Sequence, residues 1–181
     1  MINDLFSETW KELKCGIEDS GHPFKVCALA SLEESGKIKQ RMLRLRKITH
    51  NDTFLFYTDA RSFKVQQLKL NPYGSVIFYH PLLQLQVSIC GKVVVHEQDE
   101  IYEDHKLEIE GRSVQDYNTK SPPGKKIKNP IDVTRTRELH FSVIELIPEQ
   151  IDYLKLRAEP NRLRATFTKT EEGWDKTFLV P

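Results

Sequence analysis

The sequence predicts a mainly β protein with a few flanking helices, folded as a closed or nearly closed antiparallel barrel. Three observations carry that expectation. About eight strand-like runs recur along the chain, bounded by turn residues such as Ser35-Gly36 and Asn51-Asp52. Most connections between them are too short to hold the crossover helix that parallel strands require. The GxGxxG fingerprint of a doubly wound dinucleotide fold is absent. At 181 residues with 39% hydrophobic content, the chain suits a single domain over 1–181.

In chain order, Leu5, Phe6, Trp10, Leu13 and Ile17 fall at helical spacing and predict an amphipathic helix over 2–17. "FKVCALASL" reads as a buried strand, "IKQRMLRLRKI" as a long Arg-rich strand, and "TFLFYT" as a third. The period then changes at Ser62, where Val65 and Leu68 lie three apart and Asn71-Pro72 stops a short helix. "GSVIFYH" and "LQLQVSICGKVVVHE" are two strands about a His80-Pro81 corner, the second bending near Gly91. A charged helix is expected over roughly 98–110, and "KSPPGKKIKNP" reads as a mobile loop. "LHFSVIELIP", "EQIDYLKL", "RATFTK" and "WDKTFLVP" supply the final strands.

Twenty-seven Lys and Arg against 26 Asp and Glu leave a formal net charge of +1, so no global field advertises nucleic acid or an anionic membrane. Any anion must be held locally. No run reaches the ~18 consecutive apolar residues of a membrane span, and the charged N-terminal stretch lacks the apolar core of a secretory signal. A cytoplasmic protein is expected. Cys15, Cys27 and Cys90 form neither a disulfide framework nor a zinc spacing and read as small core residues; no metal site is expected.

Three segments point to an anion site. In "LFYTDARSFKVQQLKLNP" a strand breaks at a corner and a helix begins at Ser62, with Lys64 in its first turn. A helix start offers unpaired N–H groups and partial positive charge, and a lysine there sits well only beside an anion. Strand alternation then places Arg41 on one face with Leu43 and Leu45, and Arg44 and Arg46 on the other with Met42. An arginine on an apolar face wants an anionic partner, because a buried unpaired charge is costly. Finally, Gln84 and Gln86 alternate with apolar residues in "LQLQV", and a side-chain amide can both donate to and accept from a heterocycle. Each segment alone has an ordinary surface explanation; the three together are more specific.

The succession "ALASLEESGKIKQRMLRLRKI", "FLFYTDARSFKVQQLKLNP", "GSVIFYHPLLQLQVSICGKV" resembles the pyridoxamine 5'-phosphate oxidase family of FMN-binding split barrels, most closely over residues 25–95. The resemblance implies a homodimer with FMN at the subunit interface. It implies Arg41, Tyr57, Thr58, Ser62 and Lys64 as phosphate and ribityl contacts, Gln86 facing the isoalloxazine ring, and Arg46 where the family usually has lysine near the ring. Arg164 matches an FMN-contacting arginine when residues 149–174 are aligned without gaps; aligning on "RL" instead makes Arg162 a substrate arginine. Arg112 is a candidate for a substrate anion, with a plain helix-end arginine as the alternative.

The sequence also departs from that family. "SRK" reads "SFK", so Phe63 stands where an arginine is usual; Leu154 replaces a flanking Trp, and "PNRLRATF" replaces an Arg-Leu-His motif. The implied activity is hydride transfer from a small substrate to FMN, in the broader flavin-binding branch rather than a true vitamin oxidase, with no catalytic residue assigned. The alternative is a flavin-binding or redox-sensing protein without turnover. Nucleic-acid binding is not expected, since the Lys120–Lys128 cluster lacks an aromatic platform beyond Tyr117.

Overall fold

In the computed structural model, which describes residues 1–156 and 161–181, one eight-stranded antiparallel sheet carries the architecture. Helix α1 spans Ile2–Glu18 and is followed by a single 3-10 turn, Pro23–Lys25. Strands β1 (Val26–Leu32), β2 (Ile38–Ile48) and β3 (Phe54–Asp59) precede helix α2 (Phe63–Leu70). Strands β4 (Tyr73–His80) and β5 (Leu85–His96) precede helix α3 (Glu100–Lys106), and β6 (Phe141–Lys155), β7 (Leu163–Thr170) and β8 (Gly173–Leu179) close the chain. The strand order is β3-β2-β1-β4-β5-β6-β7-β8, and a further β3–β6 pairing closes the first part of that order into a barrel. The β7–β8 hairpin hangs off its rim.

Alternation decides what fills the barrel. Leu29, Leu45, Phe56, Phe78, Val87 and Ile151 point inward and are almost fully buried, and each such side chain stabilises the fold by roughly 1.5–3 kcal/mol. Strand β3 is buried on both faces, because Leu55 joins Tyr102, Tyr117, Phe141 and Val143 in a second cluster beneath α3. Helix α1 lies directly on the 3-10 turn: a Cβ on Gly16 would come within 2.6 Å of the Phe24 backbone. Its aromatic stripe covers the rim, with Trp10 stacked on Phe54 at 5.8 Å and Phe6 edge-on to Phe167 at 5.0 Å.

Three expectations need correction. "LHFSVIELIP" and "EQIDYLKL" are one strand, β6, running through Pro148. The proline is tolerated because β6 pairs with β3 only up to Leu146 and with β7 only from Gln150, so its missing N–H falls where the strand changes partner. Opposite it, β5 shifts register between Cys90 and Gly91, the expected bend. The helix expected over 98–110 is only α3, capped by Asp99, whose side chain accepts from the Tyr102 amide, with a separate 3-10 turn at Gly111–Asp116. Cys90 is exposed rather than a core residue, since alternation puts it on the outer face of β5.

Candidate functional site

Strand β2 brings Arg41 to the inner face of the sheet, as alternation predicts: it pairs with the buried Leu29 of β1. Near the end of that face its guanidinium meets, among the described residues, neutral acceptors only. Nη1 donates to Ser31 Oγ at 2.6 Å and Nη2 to Gln67 Oε1 at 2.9 Å, and the Ser31 hydroxyl also donates to Gln67 Oε1 at 2.6 Å. Burial holds Arg41 below the usual arginine range despite the pull of Glu33.

Ser62 occupies the N-cap position of α2, yet its hydroxyl caps no amide. It lies instead beside Lys64, whose Nζ donates to Thr58 Oγ1 at 2.8 Å and to Ser62 Oγ at 3.3 Å. Of the first-turn amides, that of Val65 already donates to the Ser62 carbonyl at 3.0 Å, which leaves those of Phe63 and Lys64, among the described residues, for another acceptor. Burial, and then the positive charge of Arg41, hold Lys64 below the usual lysine range. Arg41, Ser62, Phe63 and Lys64 line one cavity of about 230 Å³ with Pro123 and Gly124. Among the described residues the two cations bond only neutral oxygens and repel each other, an arrangement chemically suited to a group with several acceptor oxygens.

The other expected residues fall into two further sets. Tyr57 and Thr58 point to opposite faces of β3, so only Thr58 meets Lys64 beside the cavity. The Tyr57 side chain lies under α3, its hydroxyl 2.6 Å from His105 Nδ1 and donating to Glu108 Oε2 at 2.6 Å. Burial first, and Glu108 next, push its pKa up. The register shift between Leu45 and Lys47 swings Arg46 over the Tyr57 ring, 5.0 Å from its centroid. There Arg46 Nε is buried without a hydrogen-bond partner among the described residues, and the two residues line a polar pocket of about 190 Å³ with Arg44, Glu108 and Ser113.

The third set lies on the outer face of the sheet. Gln86 sits directly opposite Leu154, and Leu154 directly opposite Arg164, so the three form a row across β5, β6 and β7. Arg162 precedes β7 and is exposed. The Arg112 side chain lies outside the described residues, although its backbone falls in the 3-10 turn at Gly111–Asp116.

Sequence reasoning missed Ser31 and Gln67, the acceptors that hold Arg41. The one available signal was Gln67 lying one turn after Lys64, on a helix already suspected. It also missed the trio Glu12, His22 and His80, whose ligand-type atoms lie within 4.8 Å of one another. No sequence spacing links them. His22 Nδ1 accepts from the Phe24 amide at 3.1 Å and His80 Nδ1 from the Leu83 amide at 3.2 Å, so the ring proton sits on Nε2 in each. With His22 Nε2 at 3.0 Å from Glu12 Oε2, the trio reads as a hydrogen-bonded tie between α1 and the barrel.

Comparison with known proteins agrees with this geometry. The family model described as pyridoxamine 5'-phosphate oxidase matches residues 17–155. Over 168 residues the chain is 26% identical to the pyridoxine/pyridoxamine 5'-phosphate oxidase of Neisseria gonorrhoeae, covering 84% of this chain and 78% of that protein. A pyridoxamine 5'-phosphate oxidase-related, FMN binding protein from Nostoc punctiforme superposes with a TM-score of 0.78 at 20% identity, covering 97% of this chain and 96% of that one. PhzG from Burkholderia lata, solved with tetrahydrophenazine-1-carboxylic acid, does so with a TM-score of 0.73 at 19% identity, covering 97% and 91%. A match over most of the chain, on a barrel whose inner end carries paired cations, makes this protein a member of the pyridoxamine 5'-phosphate oxidase family.

Proposed function

We propose that the protein is a homodimeric, cytoplasmic FMN-dependent oxidoreductase acting on a small substrate. The observation that carries this reading is the pair Arg41 and Lys64, half-buried at one cavity with neutral hydrogen-bond partners only among the described residues. A flavin phosphate supplies the missing negative charge. Bound FMN would accept a hydride from the substrate and return the electrons to dioxygen.

The chain's own residues position and polarise. Arg41, Ser62, Lys64 and Thr58 grip the phosphate, while Arg46, with an unpartnered Nε, offers a cation toward the ring. Gln86 presents an amide that can donate to and accept from the pyrimidine edge, and Arg164 stands in the same row. That row lies on a sheet face where Val26, Met42, Ile77 and Tyr79 are exposed. Burying this face against a second copy removes the apolar surface from water and accounts for a site divided between the barrel end and the outer sheet. Unpaired Cys15, Cys27 and Cys90 suit a reducing compartment.

Purified protein is expected to be yellow, with one FMN per chain and twice the 21.1 kDa chain mass; a colourless monomer indifferent to added FMN overturns the reading. A second reading, flavin binding without turnover, is favoured by the aliphatic Leu154 beside Gln86. Anaerobic bleaching of the flavin by a substrate panel that includes pyridoxamine 5'-phosphate separates the two.

A further inference from the structure

We propose that Phe63 is a latch that holds the loop running from Asn118 to Thr136 against the phosphate cavity, making the site selective for a flavin that ends in a phosphate monoester over a flavin dinucleotide. The inference rests on the FMN reading above and concerns residues which that reading leaves unused.

Consecutive residues at the start of α2 divide the work. Ser62 turns its hydroxyl to Lys64, whereas both flanking residues reach the loop. Arg61 does not supply the cation missing at position 63. It is held by Asp59, Nη2 to Oδ2 at 2.7 Å and Nε to Oδ1 at 3.1 Å. From there it donates to the carbonyls of Thr119 at 2.9 Å and Lys120 at 3.3 Å. It therefore pins the stem of the loop, which a Thr119–Arg135 bridge and a bond from the Lys120 amide to the Thr134 carbonyl at 2.8 Å also tie.

Phe63 meets the tip. Gly124 adopts φ +88°, and a Cβ added there would stand 3.0 Å from Phe63 Cε2 and 3.2 Å from Cδ2. The glycine thus serves two ends, the left-handed turn and the close approach to the ring. Phe63 is 63% exposed, an apolar ring at a helix start with the loop tip as its partner. Because Pro123 and Gly124 line the same cavity as Arg41 and Lys64, the latch sets one wall of the anion site. Pro123 and Gly124 bound the cavity from the loop, and Ser62, Phe63 and Lys64 bound it from the α2 start. On this proposal, an adenylate joined through a second phosphate would have to displace the loop tip that lines the cavity.

The test titrates FMN and FAD into flavin-free wild type, Phe63→Ala and Phe63→Leu, following flavin fluorescence, and measures FMN release by stopped flow. Position 63 is on the surface, so the alanine variant is expected to fold; circular dichroism checks it. Phe63→Ala is expected to narrow the preference for FMN over FAD by about tenfold and to speed FMN release, with Phe63→Leu between. An unchanged FMN-to-FAD ratio in Phe63→Ala, with FMN affinity still dependent on Lys64, overturns the latch alone. Wild type that binds neither flavin overturns the cradle and the latch together.

Discussion

Lys64 shows at the scale of one residue what the proposed phosphate site would supply. Its ammonium is half-buried on hydroxyl oxygens beside another cation, so the free protein holds it below the normal lysine range. The unfolded chain consequently binds more protons in the alkaline window, and stability without FMN should rise with pH there. FMN affinity should move the opposite way, because the phosphate favours charged lysine. Titrations from neutral to alkaline pH are expected to show FMN affinity falling earlier than an ordinary lysine would dictate, and Lys64→Arg should move the fall upward. Lys64→Ala or Arg41→Ala should weaken FMN by about 10- to 100-fold, the weight of one charge-assisted bond. Gln67→Met, which leaves both cations but removes the acceptor for Arg41 Nη2, should weaken it by a smaller factor. Phe63→Arg restores a charge and frees the loop; its FMN affinity should fall more steeply with salt than that of wild type.

Elements transmit these placements through a few close contacts. Strand β5 crosses β6 at Gly91, where a Cβ would lie 2.0 Å from the Ile147 carbonyl oxygen and 2.9 Å from the Glu149 amide. Backbone on both sides leaves nothing flexible to give way. Gly91→Ala should therefore cost about 3 kcal/mol or more, read by chemical denaturation. Helix α1 is tied down by Glu8, which accepts from Tyr153 Oη at 2.5 Å and Lys155 Nζ at 2.7 Å. Burial alone would raise the Glu8 pKa, but those two donors bring it below the ordinary value. A depressed folded pKa adds stability above the unfolded carboxylate value, and the contribution is lost as pH falls through the folded one. Glu8→Gln should consequently lower Tm near neutrality and flatten its decline on the acid side, measured by thermal scans across pH.

The whole molecule presents one sheet face that the barrel does not use. Ile77→Lys or Tyr79→Glu places a charge on that face without touching the cavity. If the proposed dimer forms through this face, sedimentation should show each variant shifted from dimer to monomer, with FMN affinity falling in parallel if Gln86 and Arg164 act at the interface. A monomer that keeps full FMN affinity would confine the cofactor site to a single chain. At this scale the barrel was legible early. Alternation in β2 and β5 gave nearly the observed boundaries, and the turn signals located most hairpins. The proline at 148 misled because its consequence depends on which strand lies alongside it.

Residue identity and period alone determined the strand and helix inventory, the inward face of Arg41, and the proximity of Ser62 and Lys64, since these depend on contacts within one element or one turn. Only the tertiary structure decided that Thr58 joins them while Tyr57 turns away beneath α3, that Ser31 and Gln67 hold Arg41, and that Arg61 and Phe63 serve the loop. Those pairings join different elements, some adjacent in the chain and others, such as Arg61 with Thr119, 58 residues apart. The residue before or after carries no record of them, because burial, register and the closing β3–β6 pairing are properties of the assembled barrel.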